Sequence, residues 1–151
     1  MKVDLPDGDP TRGLPRAHGG APLIGRIRAE PEDFQVDEIL GFGAAGAGEH
    51  AWLKVRKTGR NTHDVARQLA RHAGVAQMAV GYAGLKDRQA VTTQHFTVHL
   101  PGRTGPEWSS LNDDGLEFLD VQRHDRKIRR GALRGNAFTL RIRDVEGDRS
   151  E

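Results

Sequence analysis

Apolar residues recur mostly at every second position of this chain, and one stretch recurs at helical spacing. From Pro22, the run LIGRIRAEPEDFQVDEIL is rich in β-branched residues, but Pro31 lacks a ladder donor, so it reads as two short strands around a turn. In the second of these, Phe34, Val36 and Glu38 share one face. In EHAWLKVRK, Leu53 and Val55 alternate with Lys54 and Arg56, again as in a strand. Asn61-Thr62-His63-Asp64 opens the helix: Asn61 caps it, Val65/Leu69 and Ala66/Ala70 form its apolar stripe, Arg67 and Arg71 lie on another face, and Gly74 ends it. Met78 to Tyr82 reads as a short buried strand entering the loop GLKDRQAVTT. Gln94 to Leu100 follows, with Phe96, Val98 and Leu100 alternating against His95, Thr97 and His99.

Pro101 to Asp114 is a polar, acidic connection. Leu116 to Val121 slips phase between Phe118 and Leu119, which predicts a bulge. Asn136 to Val145 reads as one continuous strand, with Phe138, Leu140 and Ile142 on one face and Thr139, Arg141 and Arg143 on the other. Strands outnumber helices and short turns join them, so the expected class is α+β, with a largely antiparallel sheet and few helices. Residues 1–20 show no periodicity and read as a flexible leader. Residues 21–145 carry the pattern, and 146–151 form a tail.

A length of 151 residues suits one domain. No apolar run approaches the ~18 residues of a membrane span, and MKVDLPDGDP is no secretory signal, so the expected location is cytoplasmic. The absence of Cys excludes disulfides, a thiol nucleophile and Cys-based zinc sites. Charge changes the picture more. The formal net charge is only +2, yet Arg123, Arg126, Lys127, Arg129, Arg130, Arg134, Arg141 and Arg143 crowd a segment whose one acid is Asp125. Guanidinium grips phosphate in two places and stacks on bases, so this block suggests a nucleic-acid face. A solvated pair of charged strands is the plainer alternative.

Gly41 to Gly46 matches G-x-G-x-x-G, but a strand pattern follows it where a dinucleotide site needs a helix, so a hairpin loop is expected. His95 and His99 fall on a strand about 13 Å apart, which argues against a metal pair. The densest chemistry lies in Gly84 to Gln94. There Asp87 sits between Lys86 and Arg88, cations that would keep a carboxylate ionised for attack on carbon or for proton abstraction; a plain surface turn would look the same. Phe34 and Phe138 could stack an unstacked base, and Asn136 could bond its edge or simply form a turn.

GLKDRQAVTTQ, EDFQVDE, NTHDVARQLAR and RHDRKIRRGALRGNAFTLRIRDV together resemble the motifs of the TruD family of tRNA pseudouridine synthases, from about Pro22 to Val145. The resemblance implies isomerisation of uridine to pseudouridine in tRNA, at position 13 of the D-arm, without metal or nucleotide cofactor. It makes Asp87 the catalytic carboxylate and places Phe34 and Asn136 at the target nucleotide. Lys86 and Phe138 fall in the same pocket-forming motifs. Arg126, Lys127, Arg129 and Arg130 become candidates for the RNA backbone. Family members run more than twice this length, with a domain inserted into the catalytic one. The resemblance therefore implies the N-terminal part of a catalytic domain, truncated before that insertion, lacking its C-terminal half and inactive alone. A truncated, non-catalytic RNA-binding module is the alternative.

Overall fold

Strand β5 (Val91–His99) organises the fold, because it is paired along both edges. The computed structural model describes residues 13–147; most of the expected leader and tail lie outside the described residues, and the described part of the leader, 13–20, is irregular and exposed. In chain order come β1 (Leu23–Arg26), β2 (Phe34–Ile39), β3 (His50–Thr58), α1 (Thr62–Ala73), β4 (Val80–Gly81), β5, β6 (Leu116–His124), β7 (Gly135–Leu140) and β8 (Arg143–Gly147). The main sheet has the order β6-β3-β5-β2-β7, with β4 added beside β2 on the same edge of β5. Only β2–β5 is parallel among these pairs. The class is α+β with a dominant antiparallel sheet.

One face of this sheet is sealed by α1. The Asn61 side chain accepts the Asp64 amide at 2.8 Å, and Gly74 closes the helix at φ 65°, a left-handed value that glycine adopts without strain. Val65 and Leu69 of the helix are fully buried against Leu53, Val55, Phe96 and Val98. Each such side chain contributes about 1.5–3 kcal/mol, so this layer is the main source of stability. The bulge in β6 is present: Lys54 pairs with Asp120 and Val55 with Phe118, leaving Leu119 as the extra residue.

Four local expectations are corrected. Met78 is exposed on a 3-10 turn, and only Val80–Gly81 joins the sheet. β5 begins at Val91, earlier than its alternation indicates, and Thr97 is as buried as Phe96 because both faces of this central strand are covered. The polar 101–114 connection holds a 3-10 turn, Trp108–Leu111, whose Trp108 packs into the core. The continuous strand from Asn136 is broken after Leu140. β8 leaves the main sheet there and pairs with β1 as a separate ribbon.

Charge causes that break. Asp33 is buried and accepts both arms of Arg143, at 2.7 and 2.9 Å, while its carbonyl accepts the Arg141 amide at 2.8 Å. Asp144, next along, turns at φ 50°. The Arg143 hydrogen bonds hold the Asp33 carboxyl below its ordinary value, aided by the Glu30 amide and the charge of Arg141. The folded protein thus binds this proton more weakly than the unfolded chain. The resulting stability is complete above pH ~4 and is lost as pH falls through the lowered folded value. Arg143→Gln is expected to lower Tm at pH 7 and to flatten the loss of Tm between about pH 5 and 3. Parallel acid limbs in parent and variant would show that this pair does not anchor β8.

Candidate active site

The face of the sheet opposite α1 gathers the residues singled out in the sequence. In β2–β7, Phe34 lies opposite Leu140, Val36 opposite Phe138 and Glu38 opposite Asn136. Directly opposed residues share a face, so Phe34, Glu38, Asn136 and Phe138 project together. The Phe34 and Phe138 rings meet edge to face with centroids 6.0 Å apart. Phe34 is buried, whereas Phe138, Leu140 and Ile142 are more than half or nearly half exposed, at 59, 49 and 56%.

Asp87 reaches this face through a cation that was not foreseen. Its carboxylate is half-exposed and lies 3.5 Å from Arg28 Nη2, and the Arg28 guanidinium carbon stands 3.9 Å over the centre of the Phe34 ring. Arg28 therefore ties the carboxylate to the aromatic pair. The flanking cations expected to do so are used elsewhere. Lys86 is buried with its Nζ 3.2 Å from Glu38 Oε2, and Arg88 Nε donates to the Gly59 carbonyl at 3.2 Å. Glu38 also accepts the His95 amide at 3.0 Å and its ring nitrogen at 3.2 Å. Burial alone would raise the Glu38 carboxyl, but the His95 donors and the Lys86 ammonium outweigh it and hold it below its ordinary value. An anionic Glu38 beneath Asn136 is the result.

The loop carrying Asp87 is held rigidly from below. Lys57, 1% exposed at the end of β3, donates through its ammonium to the carbonyls of Arg60 (2.7 Å), Lys86 (3.3 Å) and Asp87 (3.0 Å). Burial, opposed by the charge of Asp87 and reinforced by that of Lys86, pulls its pKa down to about 8. Thr62, at the start of α1, accepts the Lys86 amide at 3.0 Å and donates to Gln94, whose amide donates to the Gly84 carbonyl. Backbone is thus fixed on both sides of Asp87 while its carboxylate stays open to solvent.

The basic block is neither a strand pair nor freely solvated. Residues 125–134 form a loop laid across the same face, with Ile128 buried against Leu40, Trp52 and Ala83. The Gly131 amide donates to the Ala83 carbonyl and the Arg134 amide to the Ile39 carbonyl, each at 2.7 Å. Arg130 donates to the Tyr82 hydroxyl at 2.9 Å and covers its ring, Lys127 caps the Met78 carbonyl, and Arg126 pairs with Asp125 at 3.3 Å. Among the described residues, Arg129 makes no ion pair or side-chain hydrogen bond, and it lines the groove beside this loop.

Arg28, Lys57 and Glu38 were missed as site residues, although two of them carried a signal. Lys57 continues the apolar alternation Ala51, Leu53, Val55, and Glu38 continues Phe34, Val36. A charge on a buried face requires a dedicated partner. Arg28 carried no such mark, since its contact depends on the turn between β1 and β2.

An aromatic pair, an amide and an arginine-paired carboxylate on one face, next to a basic loop, define a site for a planar polar ring carried on a polyanion. The sequence profile of tRNA pseudouridine synthase D (TruD) matches residues 17–151, and the chain belongs to the TruD family. It is 58% identical over 134 residues to tRNA pseudouridine synthase D of Methylococcus capsulatus, covering 89% of this chain and 38% of that protein. The corresponding protein of Xanthomonas campestris is 56% identical over 137 residues, covering 91% of this chain and 37% of its own length. Among solved structures, a Methanosarcina mazei protein assigned as tRNA pseudouridine synthase D superposes with a TM-score of 0.67 at 28% identity, over 80% of this chain and 27% of that one. The chain thus spans well under half the length of these relatives.

Proposed function

We propose that the protein to which this chain belongs isomerises uridine to pseudouridine in tRNA, at position 13 of the D-arm, with Asp87 as the reacting carboxylate. The observation that carries this reading is the half-exposed Asp87 carboxylate held by Arg28 against the Phe34–Phe138 pair, with Asn136 on the same face. The target base leaves its stack and enters between the aromatic rings, and Asn136 bonds its edge. Two routes suit the carboxylate. It attacks C1′ as uracil N1 departs, and the rotated uracil then displaces it through C5, which loses its proton, in the manner of a retaining glycosidase. Alternatively it removes a sugar proton to give a glycal, to which C5 adds. Lys86 holds Glu38 beneath the pocket. No metal or nucleotide is required by either route.

Residues 21–145 are read as the first part of the catalytic domain. Another segment of the same protein is expected to cover Phe138, Leu140 and Ile142, since a binding pocket open on one side neither excludes water nor holds an extruded base. Incubating the full protein with a tRNA transcript and mapping pseudouridine with a specific label tests the function, and an unlabelled position 13 would refute it. Phosphate contacts come from Arg126 and Arg129 above all, because Lys127 and Arg130 are also engaged within the protein. RNA affinity should therefore fall steeply with salt, and Arg126→Gln with Arg129→Gln should reduce the log–log slope by roughly 0.7–0.9 per lost contact. An unchanged slope would reassign the loop to a structural role.

A further inference from the structure

The glycine-rich segment 41–48 remains without a role in the proposed chemistry. It leads into β3 and is pinned to the end of β6: the Gly46 amide donates to the Arg123 carbonyl at 2.9 Å and the Ala45 amide to His124 Nδ1 at 3.0 Å. Gly48 lies so close that a Cβ there would fall 2.2 Å from the His124 carbonyl oxygen. This close seating presents Phe42 outward. Its ring is 45% exposed, braced edge-on by Trp52 at 5.9 Å and lying nearly parallel to His124 at 6.1 Å.

Between Phe42 and the basic loop runs a groove of about 540 Å³, walled by His124, Arg126, Lys127 and Arg129 and containing no acidic side chain in its lining. The one nearby acid, Asp125, is paired with Arg126 at the rim. An exposed aromatic face beside cations in a groove of this size fits a single nucleotide: the base stacks and the phosphate is neutralised, without regard to sequence. The same loop continues through Arg134, which is bonded to Ile39, to Asn136 opposite Glu38. The groove and the candidate active site are thus two stations on one face of the sheet.

We propose that this groove is a subsite for an unpaired nucleotide of the substrate RNA next to the target uridine, its base stacked on Phe42 and its phosphate held by Arg129 and Arg126. The proposal rests on the function proposed above. Extruding one base leaves its neighbours unstacked, and a second platform holds the strand open.

The test is a coupling cycle on the full protein with a tRNA transcript. Abasic nucleotides are placed singly at positions flanking the target uridine, and Kd is measured for the parent, Phe42→Ala, Phe42→Leu and Phe42→Trp. Loss of a base–aromatic stack is expected to weaken binding about 5- to 100-fold in the Ala and Leu variants, with Trp retaining affinity. One abasic position should weaken the parent by a similar factor and leave Phe42→Ala unaffected, the mark of a direct partner. Leu keeps apolar packing against Trp52, so a stability defect confined to Ala does not mimic the result. Binding by both Ala and Leu variants within two-fold of parent, or no coupled position, would overturn the subsite. Coupling at one position in a protein that forms no pseudouridine would uphold the subsite and refute the function; full turnover without coupling would do the reverse.

Discussion

Asp87→Asn in the full protein is expected to abolish pseudouridine formation, by at least about 10⁴-fold, while leaving the Kd for tRNA within a few-fold of parent. The substitution is nearly isosteric, so the backbone anchors at Lys86 and Asp87 are untouched. It removes the charge that attacks carbon or takes a proton, and deletion of a reacting group costs several orders of magnitude in rate. Binding survives because the phosphate contacts sit on the separate 125–134 loop, and loss of one anion next to RNA cannot weaken electrostatic attraction. Asp87→Glu retains the charge but carries the carboxyl about 1.5 Å farther on, past Arg28, and a displacement of that size costs about 10²-fold. Asn with more than about one hundredth of parent turnover would remove Asp87 from the chemistry. Simultaneous loss of binding and turnover would make it a structural residue, acting through Arg28 on the Phe34 ring.

Much of the fold was legible because the sheet faces are marked by alternation and the helix by both caps. Phe34, Val36 and Glu38 do share a buried face, Asn61 and Gly74 bound the helix, and the slipped phase at Leu119 is a bulge. Alternation failed where a strand is covered on both sides, as at Thr97, and where an apolar run crosses from one sheet to another, as between Leu140 and Arg143. In the latter the pattern is locally perfect, and the break is imposed by Asp33, more than a hundred residues away in sequence. The same distinction holds at the candidate site. Phe34, Asn136 and Phe138 converge because strand register fixes them. The partner of Asp87 was misread because nearness in sequence was taken for nearness in space. Lys86 and Arg88 flank it along the chain but turn to Glu38 and Gly59, whereas Arg28 meets it across the fold.

Lys57→Met should be the most damaging change outside the reacting groups, lowering both stability and turnover while leaving tRNA affinity nearly unchanged. Methionine fills similar volume but offers no donor, so the carbonyls of Arg60, Lys86 and Asp87 each lose a hydrogen bond in a buried setting. An unsatisfied buried group costs about 1–3 kcal/mol, against which stands the relief of no longer burying an ammonium, so a net loss of roughly 2–4 kcal/mol is expected. Turnover falls for a different reason: the Asp87 backbone is freed, and misplacement of a reacting group by an ångström costs about 10²-fold in kcat. The pH dependence separates this from a general defect. With its pKa drawn down to about 8 by burial, Lys57 gives up a proton, and with it a carbonyl bond, above that pH. Parent turnover should therefore decline above pH ~8, and Lys57→Arg, which does not titrate there, should lack that limb. Stability moves the other way. Between about 8 and the ordinary lysine value near 10.4 the unfolded chain binds more protons than the folded one, so the contribution of Lys57 to stability rises with pH. Falling activity alongside a rising Lys57-dependent Tm is the expected signature. A Lys57→Met protein with parent-like kcat, or a parent profile flat through pH 9, would show that the Asp87 loop does not depend on this ammonium.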